Sequence, residues 1–202
     1  MPRENESDIF LVLGMGNPLL SDDSIGLRVV ECAERTLRAR SLRSAFKKNY
    51  SGGIDLLYDL VGYDKAIIVD SLVTGKAPPG YCHEFSLATI DDAVQEHCVF
   101  AHGISMATVF RIGEQCGYHM PAETVILAVE SSDITTFSEQ LTPALEKSME
   151  EIVHKMDCLL SRWLDSAKKT ATMPQCQERT LAVRPFKNLP DRVTHSPSEI
   201  FA

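Results

Sequence analysis

An α/β fold with a mostly parallel central sheet is predicted by three features of the chain. Continuous apolar runs at 9–13, 66–69 and 125–129 read as strands buried on both faces. The first and last of these lead into segments with apolar residues every three or four positions, the mark of helices packed on a sheet. Turn chemistry separates them: Gly14 and Gly16 interrupt the first run, and Asn17-Pro18 cannot continue a strand.

Taken in order, Ile9–Leu13 is the first strand, followed by a glycine turn and an acidic loop. The first helix then carries Ile25, Val29, Ala33 and Leu37 on one face, and the basic stretch Arg38–Arg43 ends it. Asp22 and Asp23 therefore stand beyond the carboxyl end of the first strand, where open α/β sheets place their ligands. They have two readings. One is helix capping, with favourable placement in the field of the helix dipole; the other is a site. One acid suffices as a cap and leaves the other spare. A dinucleotide site is excluded, because Leu19 holds the position of the third glycine and two carboxylates would repel a pyrophosphate. A phosphate-binding loop is missing as well, since Gly75-Lys76 is followed by Ala77 and lacks the earlier glycine.

Ser44–Tyr50 is a strand candidate closed by Ser51-Gly52-Gly53. Residues 54, 57, 58 and 61 have the spacing of a short helix stopped at Gly62-Tyr-Asp64. Lys65–Asp70 is the clearest strand after the first and ends on Asp70, either a turn cap or an acid converging with the opening loop. Tyr81–Leu87 alternates as a strand, with His83 read as a packed or surface residue, and Thr89–Gln95 reads as a short helix or turn. Residues 104, 107, 108 and 111/112 predict a helix stopped near Gly117, with His102 at its amino terminus. A histidine alone there is structural, whereas imidazole beside two carboxylates suits a divalent transition metal. Thr124–Glu130 is the third buried strand.

The longest helix follows. Thr142 is its cap and Pro143 its first residue, and Leu141, Leu145, Met149, Ile152, Met156, Leu159 and Trp163 form one apolar face. His154 and Cys158 are read as packing residues. Periodicity stops at Ser166, so residues 1–165 are expected to form one α/β domain and 166–202 a partly disordered extension.

Composition narrows the function classes. A length of 202 residues suits one domain with a sizeable core, and a net charge of -8 argues against an extended nucleic-acid surface. No apolar run approaches the ~20 residues of a membrane span. The start, Met1–Asp8, is charged and has no apolar core of a secretory signal. Six cysteines without a Cys-x-x-Cys pair suit a reducing compartment and core packing, so the expectation is a cytoplasmic protein.

Gly14-Met-Gly-Asn-Pro-Leu-Leu-Ser-Asp-Asp-Ser-Ile-Gly26 resembles the opening motif of the hydrogenase maturation endopeptidases. The resemblance continues through Ser51–Ile54, Ala66–Leu72, Pro79-Gly80, the His102-Gly-Ile-Ser stretch and Val129-Glu130, covering about residues 8 to 164. It implies a three-layer α/β/α sandwich of the phosphorylase/hydrolase type. It also implies a metal-dependent, aspartic-type endopeptidase that removes the carboxyl-terminal extension of a nickel-loaded [NiFe]-hydrogenase large subunit. By position, the residues implied to contact nickel and carry the reaction are Asp23, Asp70 and His102. The nickel is expected to arrive with the precursor. The family often has glutamate then glycine where this chain has Asp23-Ser24, so the acid here is one methylene shorter and Asp22 is an alternative to it.

No Gly-x-Ser-x-Gly elbow is present and no cysteine has a paired base in sequence, so no acyl-enzyme is expected. Two other classes share these residues: a chaperone that binds the nickel-loaded large subunit without cutting it, and a small-molecule hydrolase on the same kind of sheet.

Overall fold

The structure is a computed structural model and describes residues 8–37, 44–89 and 106–171, with side chains through Ser166. The expected helix end at Arg38–Arg43, nearly all of the turn at 89–95, His102 and the extension beyond Ala171 lie outside the described residues.

Five strands form one sheet: β1 (Phe10–Met15), β2 (Ser44–Asn49), β3 (Lys65–Leu72), β4 (Cys82–Ser86) and β5 (Glu123–Glu130). Their order is β2-β1-β3-β5-β4, parallel except for β4, which runs antiparallel to β5 at one edge. Four α-helices are described: α1 (Ile25–Leu37), α2 (Asp55–Leu60), α3 (Met106–Gln115) and α4 (Pro143–Ala171). The strand period of two divides the core into two layers. Phe10, Val12, Ile67, Val69, Leu127 and Val129 face α1 and α4, while Leu11, Leu13, Ile68, Ile126 and Ala128 face α2 and α3. Helices therefore cover both faces of a mostly parallel sheet, as expected.

The interruption expected at Gly14 does not occur. β1 continues through Gly14 and Met15, with Gly14 paired to both Lys48 and Val69. Glycine serves close approach there: a Cβ on Gly14 would lie 2.2 Å from the carbonyl oxygen of Gly26 at the start of α1. Gly26 in turn has no room for a Cβ, which would meet the Val69 carbonyl oxygen at 2.3 Å. This glycine pair seats α1 directly on β1 and β3.

Two helix faces differ from those expected. In α2 the buried residues are Leu56, Leu57 and Leu60, while Ile54 and Tyr58 are exposed. In α3 they are Met106, Val109, Phe110 and Gly113; of the expected set 104, 107, 108 and 111/112, Ile104 lies outside the described residues, Ala107, Thr108 and Ile112 are half-buried and Arg111 is exposed. Short helices hold too few apolar positions for the period to fix their rotation; the space left by the sheet decides it. The long helix α4 buries Leu145, Ile152, Met156, Leu159 and Trp163 as expected. His154 and Cys158, expected to pack, are instead exposed on its outer side, with Sγ and Nε2 3.6 Å apart. The thiols are not mainly core residues either: among the four described cysteines, Cys32 and Cys82 are half-buried and Cys116 and Cys158 exposed.

Candidate active site

The order β2-β1-β3 sends the chain from β1 outward to β2 and then back to β3. The carboxyl ends of β1 and β3 thus flank a topological switch point, where connections diverge and leave a crevice. Asp23 follows β1 and Asp70 lies near the end of β3, so the fold alone brings these two acids to one place.

Asp22 and Asp23 form a short 3-10 turn, Asp22–Ser24, leading into α1, and both are buried. Neither is the cap of that turn; Ser21 holds the N-cap position and makes no side-chain cap bond. Their roles separate completely. Asp22 Oδ2 accepts from Ser132 N (3.1 Å), Ser132 Oγ (3.2 Å), Asp133 N (3.1 Å) and Thr142 Oγ1 (3.1 Å), while its Oδ1 accepts from Thr142 N at 2.8 Å. It anchors the connection from β5 and the start of α4. The Thr142 hydroxyl is turned to Asp22, while its carbonyl oxygen accepts from Glu146 N at 3.0 Å. With five donors around it, Asp22 is a structural acid.

Asp23 faces the other way. Its Oδ2 accepts from Asn17 N at 2.9 Å and its Oδ1 from Ser71 Oγ at 2.7 Å. The Ser71 backbone N–H donates to Asp70 Oδ1 at 2.8 Å, so one serine joins the two acids. Asp70 is not the last residue of its strand: Ser71 and Leu72 still pair with Val129 and Glu130. It is consequently fully buried, and its Oδ2 has no hydrogen-bond partner. Burial pushes the Asp70 carboxyl up to about 8; the Ser71 N–H pulls down, and the neighbouring Asp23 carboxylate pushes up again. Burial thus favours the protonated form of Asp70.

Ser71 and Asn17 were the residues that spacing could not single out. Ser71 directly follows Asp70 and Asn17 lies six positions before Asp23, but nothing in a serine or a backbone N–H announces a bridge across 48 positions.

Glu130, at the end of β5, is buried and holds the connection after β3. It accepts from Thr74 N (2.8 Å), Thr74 Oγ1 (2.7 Å) and Gly75 N (2.7 Å). Burial would raise its pKa, but these donors outweigh it and hold the carboxylate below the ordinary range. His83 packs between Tyr81 and Phe85, its Nε2 3.4 Å from Glu130. It is a packed residue, as expected. His102 lies outside the described residues, and among those described no group of three His, Cys, Asp or Glu side chains is placed to hold a metal ion.

No protein-family model matches the chain. Over 73 residues, 35% of this chain, it is 40% identical to the hydrogenase 2 maturation protease of Escherichia coli K12. The match spans 42% of that curated relative's length. The chain aligns with the solved hydrogenase maturating endopeptidase HybD from E. coli at a TM-score of 0.60 and 26% identity, covering 76% of this chain and 93% of that one. In sequence over that stretch and in fold over most of its length, the chain is similar to hydrogenase maturation proteases. A likeness in fold extends to the [NiFe] hydrogenase maturation protease HybD from Thermococcus kodakarensis, at a TM-score of 0.57 and 20% identity, covering 75% of this chain and 99% of that one. No described helix is long and apolar enough to cross a membrane.

Proposed function

We propose that this protein is an endopeptidase that removes the carboxyl-terminal extension of a nickel-loaded [NiFe]-hydrogenase large-subunit precursor. The observation that carries the reading is the buried carboxyl pair at the switch point, joined through Ser71 and with Asp70 Oδ2 unpartnered. A buried acid with an idle oxygen is a cost to the fold that a bound group would relieve. Oxygen donors of this kind suit a divalent cation, and a positive charge beside the pair would lower the affinity of Asp70 for its proton.

The roles follow from what holds each acid. Asp23 is kept in place by Asn17 N–H and the Ser71 hydroxyl, each oxygen retaining a lone pair to accept a proton from an attacking water. Asp70 keeps Oδ2 for the incoming substrate. The nickel belongs to the precursor and would be met by Asp23, Asp70 and His102; it would supply Lewis-acid polarisation of the scissile region. Asp22 is not an alternative to Asp23, because its oxygens already serve five donors. With nickel on the substrate, cytoplasmic maturation is gated by the cargo: an empty precursor offers the pair no cation.

The test is intact-mass analysis of the matched precursor, with and without nickel, after incubation with wild type and with Asp23→Ala, Asp70→Ala and His102→Ala. Loss of a short carboxyl-terminal peptide from the loaded form only, abolished by these changes, is the expected result. A stable nickel-dependent complex of unchanged mass would make the protein a chaperone and overturn the peptidase reading.

A further inference from the structure

The long helix carries a pair of donor side chains that the candidate active site leaves unused. His154 and Cys158 are exposed on the outer side of α4, four residues apart, with Cys158 Sγ 3.6 Å from His154 Nε2. That spacing stacks them one turn apart on one face of a single helix. The helix beneath them is fixed, because Ile152, Met156 and Leu159 from the same turns are buried in the core. Among the described residues neither side chain has another hydrogen-bond partner.

The donors are those of a transition-metal clamp. Thiolate sulfur with imidazole nitrogen favours ions such as Zn²⁺, Ni²⁺ and Co²⁺ over Mg²⁺ and Ca²⁺, which take oxygen ligands. Their separation fits as well. Bonds of about 2.3 Å to sulfur and about 2.05 Å to nitrogen, at the tetrahedral angle, put two such donors roughly 3.6 Å apart. In the free protein a hydrogen bond joins the same two atoms; a bound ion takes the place of its proton, and the thiol proton passes to water. The surrounding charges leave the pair open to a cation. Glu150 and Glu151 stand exposed one turn before His154. The basic neighbours Lys155 and Arg162 lean away to Glu84 of β4, at 3.7 Å each, and Lys155 also donates to the Cys82 carbonyl oxygen at 2.8 Å. The other exposed thiol lacks this arrangement: beyond Cys116, just past α3, His119 is held by Asp64 at 2.8 Å.

We infer that His154 and Cys158 form a surface site for a single borderline divalent transition-metal ion. No third His, Cys, Asp or Glu among the described residues is placed to join them, so water fills the remaining coordination positions. An ion held by two protein ligands, with open positions facing solvent, exchanges readily; the site is one for taking up and releasing metal, not for bracing the fold. It shares no residue with the carboxyl pair at the switch point and stands independently of the peptidase reading.

The experiment is titration of the reduced, full-length protein with Co²⁺ alone, followed by thiolate-to-cobalt charge-transfer absorption. Wild type is compared with Cys158→Ser, His154→Ala, Cys116→Ser and Asp70→Asn. The expected result is a band that saturates at a single ion per chain, is bleached by Zn²⁺ and disappears in Cys158→Ser. In His154→Ala the affinity should fall at least about tenfold, since loss of even an outer-shell partner costs that much. Cys116→Ser and Asp70→Asn should keep the band, which separates this site from the other exposed thiol and from the carboxyl pair. Both ligand positions are exposed, so the metal-free variants should melt with wild type, and that measurement confirms their folding. A band that survives Cys158→Ser, one that His154→Ala leaves at unchanged affinity, or no band in wild type would each overturn the inference.

Discussion

The two ends of the sheet treat their acids in opposite ways. At the amino edge, Glu123 receives Lys65 Nζ at 2.8 Å and Trp163 Nε1 at 2.9 Å, and Asp64 receives His119 Nε2 at 2.8 Å and Ile9 N at 2.7 Å. Lys65 also lies over the Trp163 ring, 5.4 Å from its centroid. Each acid there has a basic partner and access to water. At the carboxyl edge, Asp22, Asp23 and Asp70 are buried, and among the described residues no Lys, Arg or His pairs with them. Neutral donors satisfy Asp22 and Asp23, whereas burial favours the protonated form of Asp70. The first edge is built for stability. The second keeps an unsatisfied acid and bare apolar side chains, features that stability alone would remove.

The comparison is most sharply broken by neutralising the acids one at a time. Asp70→Asn and Asp23→Asn are expected to lower precursor cleavage by at least about a hundredfold, read by intact mass over time. Their effects on stability should not follow their effects on activity. Folding raises the Asp70 pKa from 3.8 to about 8, so the folded state binds the extra proton across that window. This group's contribution is therefore most favourable below the lower value and is lost as pH rises toward the upper one. Asp70→Asn should flatten the fall in melting temperature between pH 5 and 8 and melt above wild type at pH 8. A wild-type-like slope in the variant would remove the protonated acid from the account.

Asp22→Ala tests the neighbouring acid. It leaves five donors without their acceptor and should cost roughly 2–4 kcal/mol of stability in urea unfolding. Cleavage by the fraction that remains folded should persist, in contrast with Asp23. Gly14→Ala should cost about 1–3 kcal/mol, because its Cβ would press on backbone at the start of α1, which cannot swing aside. The smallest effect belongs to the amino edge. Glu123→Gln, at a half-exposed ion pair, should change stability by less than ~1 kcal/mol, and less still in high salt. A larger loss there than at Asp22 would overturn the contrast between the two ends.

Strands β1, β3 and β5, the first helix and the long carboxyl-terminal helix were legible in the chain because each carries enough apolar residues to declare its buried face, whereas β2, with Ala45 and Phe46 alone, was only a weak candidate. Ile25, Val29 and Ala33 in α1 and Leu145, Ile152 and Met156 in α4 are buried as their spacing implies. Short α2 and α3 were legible as helices but not in rotation, since a turn or two of apolar residues fits more than one face. The same limit applied to the acids. Asp22 and Asp23 are adjacent and chemically identical, and both stand after β1, so nothing local distinguishes an anchor from a site residue. The turn aims Asp22 at the distant 132–142 connection and Asp23 at Ser71, contacts that exist only once β1, β3 and β5 lie side by side. The sequence by itself determined which residues form strands and which end of the sheet carries the acids, because periodicity and turn chemistry are local. Tertiary structure alone decided which acid is spent on the fold, which keeps a proton and which apolar side chains remain bare, because burial and partners depend on segments far apart in the chain.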